Sequence, residues 1–195
     1  MRRDLISSAL AILVITAIFG LAYPLVVTGA SQALFPGKAN GSKITRNGTL
    51  VGSRLLAQDF RGNPRYFHSR PSTATKYNPA GTAFSNLGPN SKDARDTFKA
   101  NLDRYLRLER PYDAALTARS VPVDAVTSSA SGVDPHISRA NAAIQAHRVA
   151  SVRHLPLTQV NKLIDANTDG RFLGLIGEPG VNVLELNLAL DSLGR

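Results

Sequence analysis

Apolar and polar residues are unevenly distributed along this chain. From Leu5 to Gly37 no residue is charged, and the window Ala9 to Val27 carries eleven Leu, Ile, Val or Phe side chains. A helix over that window reaches ~28 Å, about one hydrocarbon core. At roughly −0.5 kcal/mol for each large apolar side chain, insertion gains on the order of −5 kcal/mol, enough to absorb Pro24 and the small polar residues. The run exceeds the ~7–15-residue apolar region of a signal peptide, so it reads as an uncleaved anchor and not as a leader cut near Thr28, Gly29 and Ala30. Pro24 is expected to kink the helix near its outer end. Thr16, Gly20, Pro24 and Thr28 recur every four residues, a stripe of small groups that either receives another membrane helix or simply faces lipid.

Beyond the anchor the pattern breaks into short segments. Ile44-Thr45-Arg46, Asn47-Gly48 and Thr49-Leu50-Val51 form a two-residue hairpin signal, because Asn-Gly tolerates the positive φ of a type I′ turn; paired strands are expected within 44–58. Asn78 to Asn90 is rich in Pro, Gly, Asn and Ser and reads as a long loop. Ser91 as N-cap, Asp93 in the first turn and Ala94, Phe98, Leu102, Tyr105 and Leu106 on one face predict an amphipathic helix ending before Pro111. Val121 to Val126 is a strand candidate, displaced towards an edge by Pro122. After the Ser/Gly loop Thr127 to Gly132, Asp134 and Pro135 read as N-cap and first residue of a helix running to about His154. Thr158 is expected to cap a short helix through Ile164. Phe172 to Ile176 is apolar, Glu178-Pro179-Gly180 is a turn, and the segment from Val181 to Leu190 is strand or helix, which periodicity does not decide. The fold class that follows is α+β: an N-terminal transmembrane anchor over 1–35, then one mixed domain over 36–195.

Charge adds a topology. Lys and Arg number 23 against 14 Asp and Glu, a net charge of +9 in 195 residues, which suits nucleic acid, an anionic membrane or mere solubility. Arg2 and Arg3 lie directly against the apolar run, whereas a long C-terminal domain is translocated largely regardless of its own Lys38, Lys43 and Arg46. The expected arrangement is single-pass, N-terminus cytoplasmic, with residues from about 36 onward outside the cytoplasm. Nucleic acid is then not an expected partner, and with 6% aromatic residues and no Trp the chain is thin in base-stacking platforms.

Several chemistries are missing. There is no cysteine, which removes disulfides, thiol nucleophiles and Cys-ligated metals. No lysine, Lys38 included, sits in a phosphate-binding Gly-x-x-x-x-Gly-Lys-Ser/Thr loop. Asp-Lys-Thr-Gly-Thr, Thr-Val-Gly-Tyr-Gly, Gly-x-Ser-x-Gly and Ser-x-x-Lys are absent. His68, His136, His147 and His154 lack ligand spacing, so no metal is expected. What stands out is a series of polar strings: Tyr66-Phe67-His68-Ser69-Arg70-Pro71-Ser72, Ser85-Asn86-Leu87-Gly88-Pro89-Asn90, Val126-Thr127 through Ser131-Gly132-Val133-Asp134-Pro135-His136-Ile137-Ser138, and Val181-Asn182-Val183-Leu184-Glu185-Leu186-Asn187-Leu188-Ala189-Leu190-Asp191. In this order, behind one membrane helix, they closely resemble the C chain of the Kdp-type potassium-transporting ATPase over nearly the whole length. The departures are modest: Thr82-Ala83-Phe84 where relatives often carry Gly-Gly, which predicts a stiffer loop, and Val133 for a commoner Leu.

The resemblance implies a non-catalytic subunit of an inner-membrane potassium import pump, a catalytic chaperone that raises the ATP affinity of its P-type ATPase partner. It also implies a channel-like potassium-binding chain and a small membrane chain as further partners, with lipid around the anchor. In the family's description a Ser/Gly loop and a following glutamine are suggested nucleotide contacts; here these would be Ser129, Ser131, Gly132 and Gln145, with Arg148 one turn on. A domain outside the cytoplasm cannot meet cytoplasmic ATP, so assembly and coupling across the membrane rank above nucleotide binding, and no cofactor is expected to be held firmly. The plain reading of Gln145 and Arg148 is a solvated face on a helix packed through Ala140, Ala143 and Ile144. Arg70 either braces a loop carbonyl cluster or faces a partner; Asn86 and Asn90 either satisfy turn backbone or touch the channel-like chain. Asp134-Pro135 is a helix start before it is an anion site, since Asp134 would repel an anion. Two rivals remain: an anchored hydrolase using Ser69 or Ser131, and a tethered anion-binding module.

Overall fold

The computed structural model describes residues 1–73, 77–82 and 85–193, and the chain divides into two compact units, Met1–Ser53 and Arg54–Arg195. In the first unit the helical run Arg2–Leu34 is long and apolar enough to cross a membrane, and none of it is buried in protein. It comprises α1 (Arg2–Ile15), a π-helical stretch (Thr16–Ala22) and α2 (Tyr23–Leu34). Pro24 has no N–H and its ring would strike the carbonyl four residues back; the chain answers with wide turns, in which the Tyr23 N–H reaches past Phe19 to the Ile18 carbonyl. A short α3 (Pro36–Ala39) follows. The hairpin is as read: β1 (Lys43–Arg46) pairs antiparallel with β2 (Thr49–Ser53), Arg46 opposite Thr49, and Asn47 and Gly48 hold φ of 50° and 77° at its tip.

The second unit is helical around a small sheet. α4 (Lys92–Glu109) begins where predicted, with the Ser91 hydroxyl accepting from Ala94 N–H at 3.3 Å. β3 (His136–Ile137), β4 (Thr168–Asp169) and β5 (Gly180–Asn182) form a three-stranded antiparallel sheet in the order β3-β5-β4. α5 (Arg139–Arg153), α6 (Leu157–Ala166) and α7 (Val183–Ser192) complete the unit. The main core joins Phe67 and Ile137 to Ala142, Ala146 and Val149 of α5, Val160 and Ile164 of α6, and Val181, Val183, Leu186 and Leu190. Val133 lies in a smaller cluster with Ala57 and Tyr77. The α+β class holds.

Local boundaries differ from the sequence reading in four places. Val121–Val126 is not a strand: Val123–Ala125 is a 3₁₀ turn, and its Asp124 carboxylate takes the Ser138 N–H and hydroxyl, each at 2.8 Å. That bond explains the second correction. α5 starts after Ser138, whose hydroxyl accepts from Asn141 N–H, while Asp134 folds back on the His136 N–H ahead of β3. α6 starts after Pro156, not at Thr158, since proline ahead of a helix leaves no donor to satisfy. The undecided segment is both things in turn, three residues of strand and then α7, capped by Asn182. Of the loop departures, Ala83 and Phe84 lie outside the described residues.

Candidate functional site

Segment 64–68 carries a row of backbone groups that no strand covers; side chains take them instead. Asn187 Oδ1 accepts from Phe67 N–H at 2.9 Å and its amide donates to the Phe67 carbonyl at 3.0 Å. Gln145 does the same for His68, accepting at 2.7 Å and donating at 3.1 Å. Arg148 Nη1 donates to the Pro64 and Tyr66 carbonyls at 2.6 and 2.9 Å, and Arg153 Nε to that of Arg65 at 2.7 Å. Two carboxamides thus stand in for the rungs of a ladder, which satisfies a buried backbone as a neighbouring strand would.

The same side chains are bonded to one another. Gln145 also donates to Asn141 Oδ1 at 2.9 Å and accepts from Arg148 Nη2 at 3.1 Å; Arg148 Nε meets both Glu109 oxygens at 3.0 and 3.1 Å. Arg148 is 0% exposed and Gln145 2%. The face of α5 is therefore the reverse of the one read from the sequence: Ala140 and Ala143 are exposed, and Asn141, Gln145 and Arg148 point inward. Burial lifts the Glu109 carboxyl above its ordinary range while Arg148 pulls it back. Burial first, and the Arg148 charge second, hold His68 down to about 4, so its ring is neutral at physiological pH and Nε2–H donates to the Asn63 carbonyl at 3.0 Å. Burial, reinforced by Glu109, pushes the Tyr105 phenol up; its hydroxyl donates to Asn141 Oδ1 at 2.9 Å.

The Ser/Gly loop is braced from behind. Arg70 donates to the Ser128 carbonyl at 3.0 Å and to Thr127 Oγ1 and its carbonyl at 3.3 and 3.4 Å, and lies 3.6 Å from Asp134. Of its two readings, the carbonyl brace is the one with geometry. Within the loop Ser129 Oγ accepts from Gly132 N–H at 2.9 Å and Ser131 Oγ from Val133 N–H at 3.2 Å, and Gly132 sits at φ 71°. Asp134 is half-buried, but hydrogen bonds from His136 and the charges of His136 and Arg70 overcome that burial and keep it below its usual range. Asn86 and Asn90 are exposed, and the turn they were expected to satisfy is closed by Ser85 Oγ on Leu87 N–H and by the Gly88 carbonyl on Ser91 N–H. Thr16 and Gly20 stay adjacent in the first unit, with Thr16 Cγ2 3.6 Å from where a Gly20 Cβ would stand.

Beside this network opens a cleft of about 770 Å³, lined among others by Ser69, Leu87, Phe98, Asn101, Thr127 and Gln145. Gln145 has no hydrogen-bonding capacity left to offer it. The Ser69 Oγ, buried behind the lining, has no partner among the described residues. Neither candidate nucleophile is hydrogen-bonded to a base among the described residues: Ser131 Oγ meets Val133 N–H and Ser129 Oγ, and Ser69 Oγ has no bond. Among the described residues no group of three or more His, Asp or Glu is placed to hold a metal ion.

The family model for the c chain of the K+-transporting ATPase, KdpC, matches residues 5–192. The chain belongs to the KdpC family. A potassium-transporting ATPase KdpC subunit of Bradyrhizobium diazoefficiens is 47% identical with 98% of both chains aligned. That of Rhodopseudomonas palustris is 44% identical over all of both chains, and that of Polaromonas naphthalenivorans 50% over 92% of this chain and 90% of its own. Sequence reasoning missed Glu109, Asn141 and Asn187. For two of them a signal existed: Asn141, Gln145 and Arg148 are spaced four and three apart, and Asn187 sits with Val183, Leu186 and Leu190 on one core-facing stripe.

Proposed function

We propose that this KdpC-family chain is a non-catalytic accessory subunit of an ATP-driven potassium import complex, anchored once in the cell inner membrane with residues beyond the anchor outside the cytoplasm. It docks on the membrane chains of the pump and raises the apparent ATP affinity of the ATP-hydrolysing chain from a distance. The observation that supports the indirect route is that every donor and acceptor of Gln145, and four of the five N–H groups of buried Arg148, are spent inside the fold. Taking a nucleotide there would orphan the 64–68 backbone. A subunit that prefers one of two pump conformations shifts the equilibrium by its differential affinity alone, and ~1–3 kcal/mol changes apparent affinity about five- to 150-fold.

The cleft lined by Ser69, Leu87 and Phe98 supplies the docking face in this reading, since it opens on the outer unit beside the polar network without drawing on any of its bonds. The test uses the assembled pump. Omitting this chain should raise the ATP concentration for half-maximal potassium-stimulated hydrolysis at least about fivefold, and a photoreactive ATP analogue should label the ATPase chain and leave residues 129–148 unlabelled. Unchanged ATP dependence, or ATP-competed label on those residues, overturns the proposal. Protease digestion of the outer domain in right-side-out but not inverted vesicles is expected; the reverse pattern overturns the topology.

A further inference from the structure

The strand pair β4–β5 is joined by an excursion whose end is apolar and open. Phe172, Leu173, Leu175 and Ile176 are 68, 78, 80 and 64% exposed, and no charge lies between Arg171 and Glu178. At the neck Arg171 Nη2 donates to both Glu178 oxygens, at 3.0 and 3.1 Å. Within the tip the backbone is bonded to itself: Phe172 N–H to the Ile176 carbonyl at 2.8 Å, Ile176 N–H to that of Phe172 at 3.0 Å, Leu175 N–H to Phe172 at 3.1 Å and Gly174 N–H to Arg171 at 3.0 Å. Leu173 and Gly174 hold φ of 52° and 75°, the two left-handed residues of a type I′ turn. A leucine held in that region, with 78% of its surface in water, contributes nothing to the core of this unit.

Three observations identify what covers it. The tip pairs four of its N–H groups with its own carbonyls, so at interfacial depth, where water still reaches the outer carbonyls, it can leave the aqueous surface with few backbone groups orphaned. The four side chains offer on the order of 400 Å² of apolar surface, ordinary for a functional patch and below the ~600 Å² per partner at the low end of stable protein interfaces. And the chain is already tethered to a bilayer: the apolar helix ends at Leu34 and the outer unit begins at Arg54, so even fully extended the connection holds it within ~70 Å of the membrane. Tethering raises the local concentration of lipid to the point where a small apolar contact suffices.

We infer that the Phe172–Ile176 tip rests in the interfacial layer of the bilayer that holds the anchor, giving the outer unit a second, reversible lipid contact. Arg171, 45% exposed at the neck, then lies at the depth of the lipid phosphates. The inference is independent of any effect on ATP.

The chain contains no Trp, so Leu173→Trp places a single indole at the tip. The full-length variant is reconstituted in nanodiscs of phosphatidylcholine and phosphatidylglycerol, with or without bromine on the acyl chains. A blue-shifted emission, quenched about twofold by the brominated lipid at interfacial depth, is expected. A Val123→Trp chain, with its indole at a position 73% exposed in the same unit, should stay water-exposed and unquenched. Emission at the water position overturns the inference, as does quenching equal at both sites. A blue shift without bromine quenching overturns it too, assigning the tip to a protein pocket. Should Leu173→Trp lose the cooperative melt of the parent, Leu175→Trp carries the same test.

Discussion

In the helical run Arg2–Leu34 the large apolar side chains point outward all round and none is buried, whereas α5 turns Asn141, Gln145 and Arg148 inward and leaves Ala140 and Ala143 outside. Each arrangement is correct for its surroundings. The run Arg2–Leu34 satisfies its backbone within the helix and presents apolar side chains all round, as a bilayer would require. α5 faces a chain segment whose backbone would otherwise be orphaned, so burying polar groups with complete partner sets costs less than burying carbonyls with none. Polarity alone, read without knowing what an element packs against, assigns α5 the wrong face.

The largest disturbance of that contrast is expected from Arg148→Met. It removes the partner of buried Glu109 and two donors to the 64–66 carbonyls. Breaking a buried pair from one side costs ~3–5 kcal/mol, read as a lower denaturant midpoint for the outer unit in the detergent-solubilised full chain. Adding Glu109→Leu should recover part of the loss, because the unpaired carboxyl disappears while the orphaned carbonyls remain. A double variant as unstable as the single one would mean that the carbonyls carry nearly the whole cost.

Acid is expected to act next. His68 titrates at about 4 in the folded chain against an ordinary 6.5, so the unfolded state binds a proton that the folded state refuses. Stability should therefore fall as pH drops from about 6.5 to 4, by up to ~3 kcal/mol at ~1.4 kcal/mol per pH unit. His136 works the other way. Hydrogen bonding to Asp134, against the cost of burial, and then to Asp169 raises its pKa. Its contribution is present below about 6.5 and lost as pH rises through the folded value, but the ring is 34% exposed and the effect stays under ~1 kcal/mol. Unfolding measured from pH 4 to 8 should show the first slope vanish in His68→Gln and persist in His136→Asn. If both variants keep the slope, neither histidine is its source.

The fold was readable where local rules decide. The hairpin at Asn47-Gly48, the Ser91 cap and the long apolar helix follow from turn chemistry, capping and length, and the structure has the hairpin, the cap and a helix long and apolar enough to cross a membrane. The α5 start was misread because Asp134-Pro135 is locally a good helix opening; a bond 14 residues distant, Asp124 to Ser138, selects the later cap. Such a contact is tertiary and has no local signature. The node was half legible: Gln145 and Arg148 were singled out through a family resemblance, but their burial depends on segment 64–68 lying against α5.

Ser138→Ala probes that later cap on a smaller scale. It removes the acceptor for Asn141 N–H and one of the Asp124 bonds, and a lost cap costs ~1 kcal/mol. A shift of the α5 start back towards Pro135 in amide exchange would show local propensity reasserting itself. Unchanged protection at Asn141 with unchanged stability would remove Ser138 from the account.

The smallest effect on stability, under ~1 kcal/mol, is expected from Pro24→Ala, and its interest is geometric. In an α-helix four residues overshoot a full turn by about 40°, so a stripe repeating every four drifts around the axis. In the wide turns Thr16–Ala22 more residues fill each turn and the same step falls short, so the Thr16-to-Gly20 step offsets the drift accumulated from Gly20 through Pro24 to Thr28. Pro24 thereby straightens the row of small residues it belongs to. With a donor restored at position 24, Tyr23 N–H should move from the Ile18 to the Phe19 carbonyl, visible as a changed through-hydrogen-bond coupling in the solubilised chain. If the straightened row packs on another helix of the pump, Pro24→Ala should weaken copurification mildly and Gly20→Leu strongly, since a leucine fills the gap beside Thr16. Full recovery of both variants would return the stripe to lipid and leave the π turns as an adjustment to proline alone.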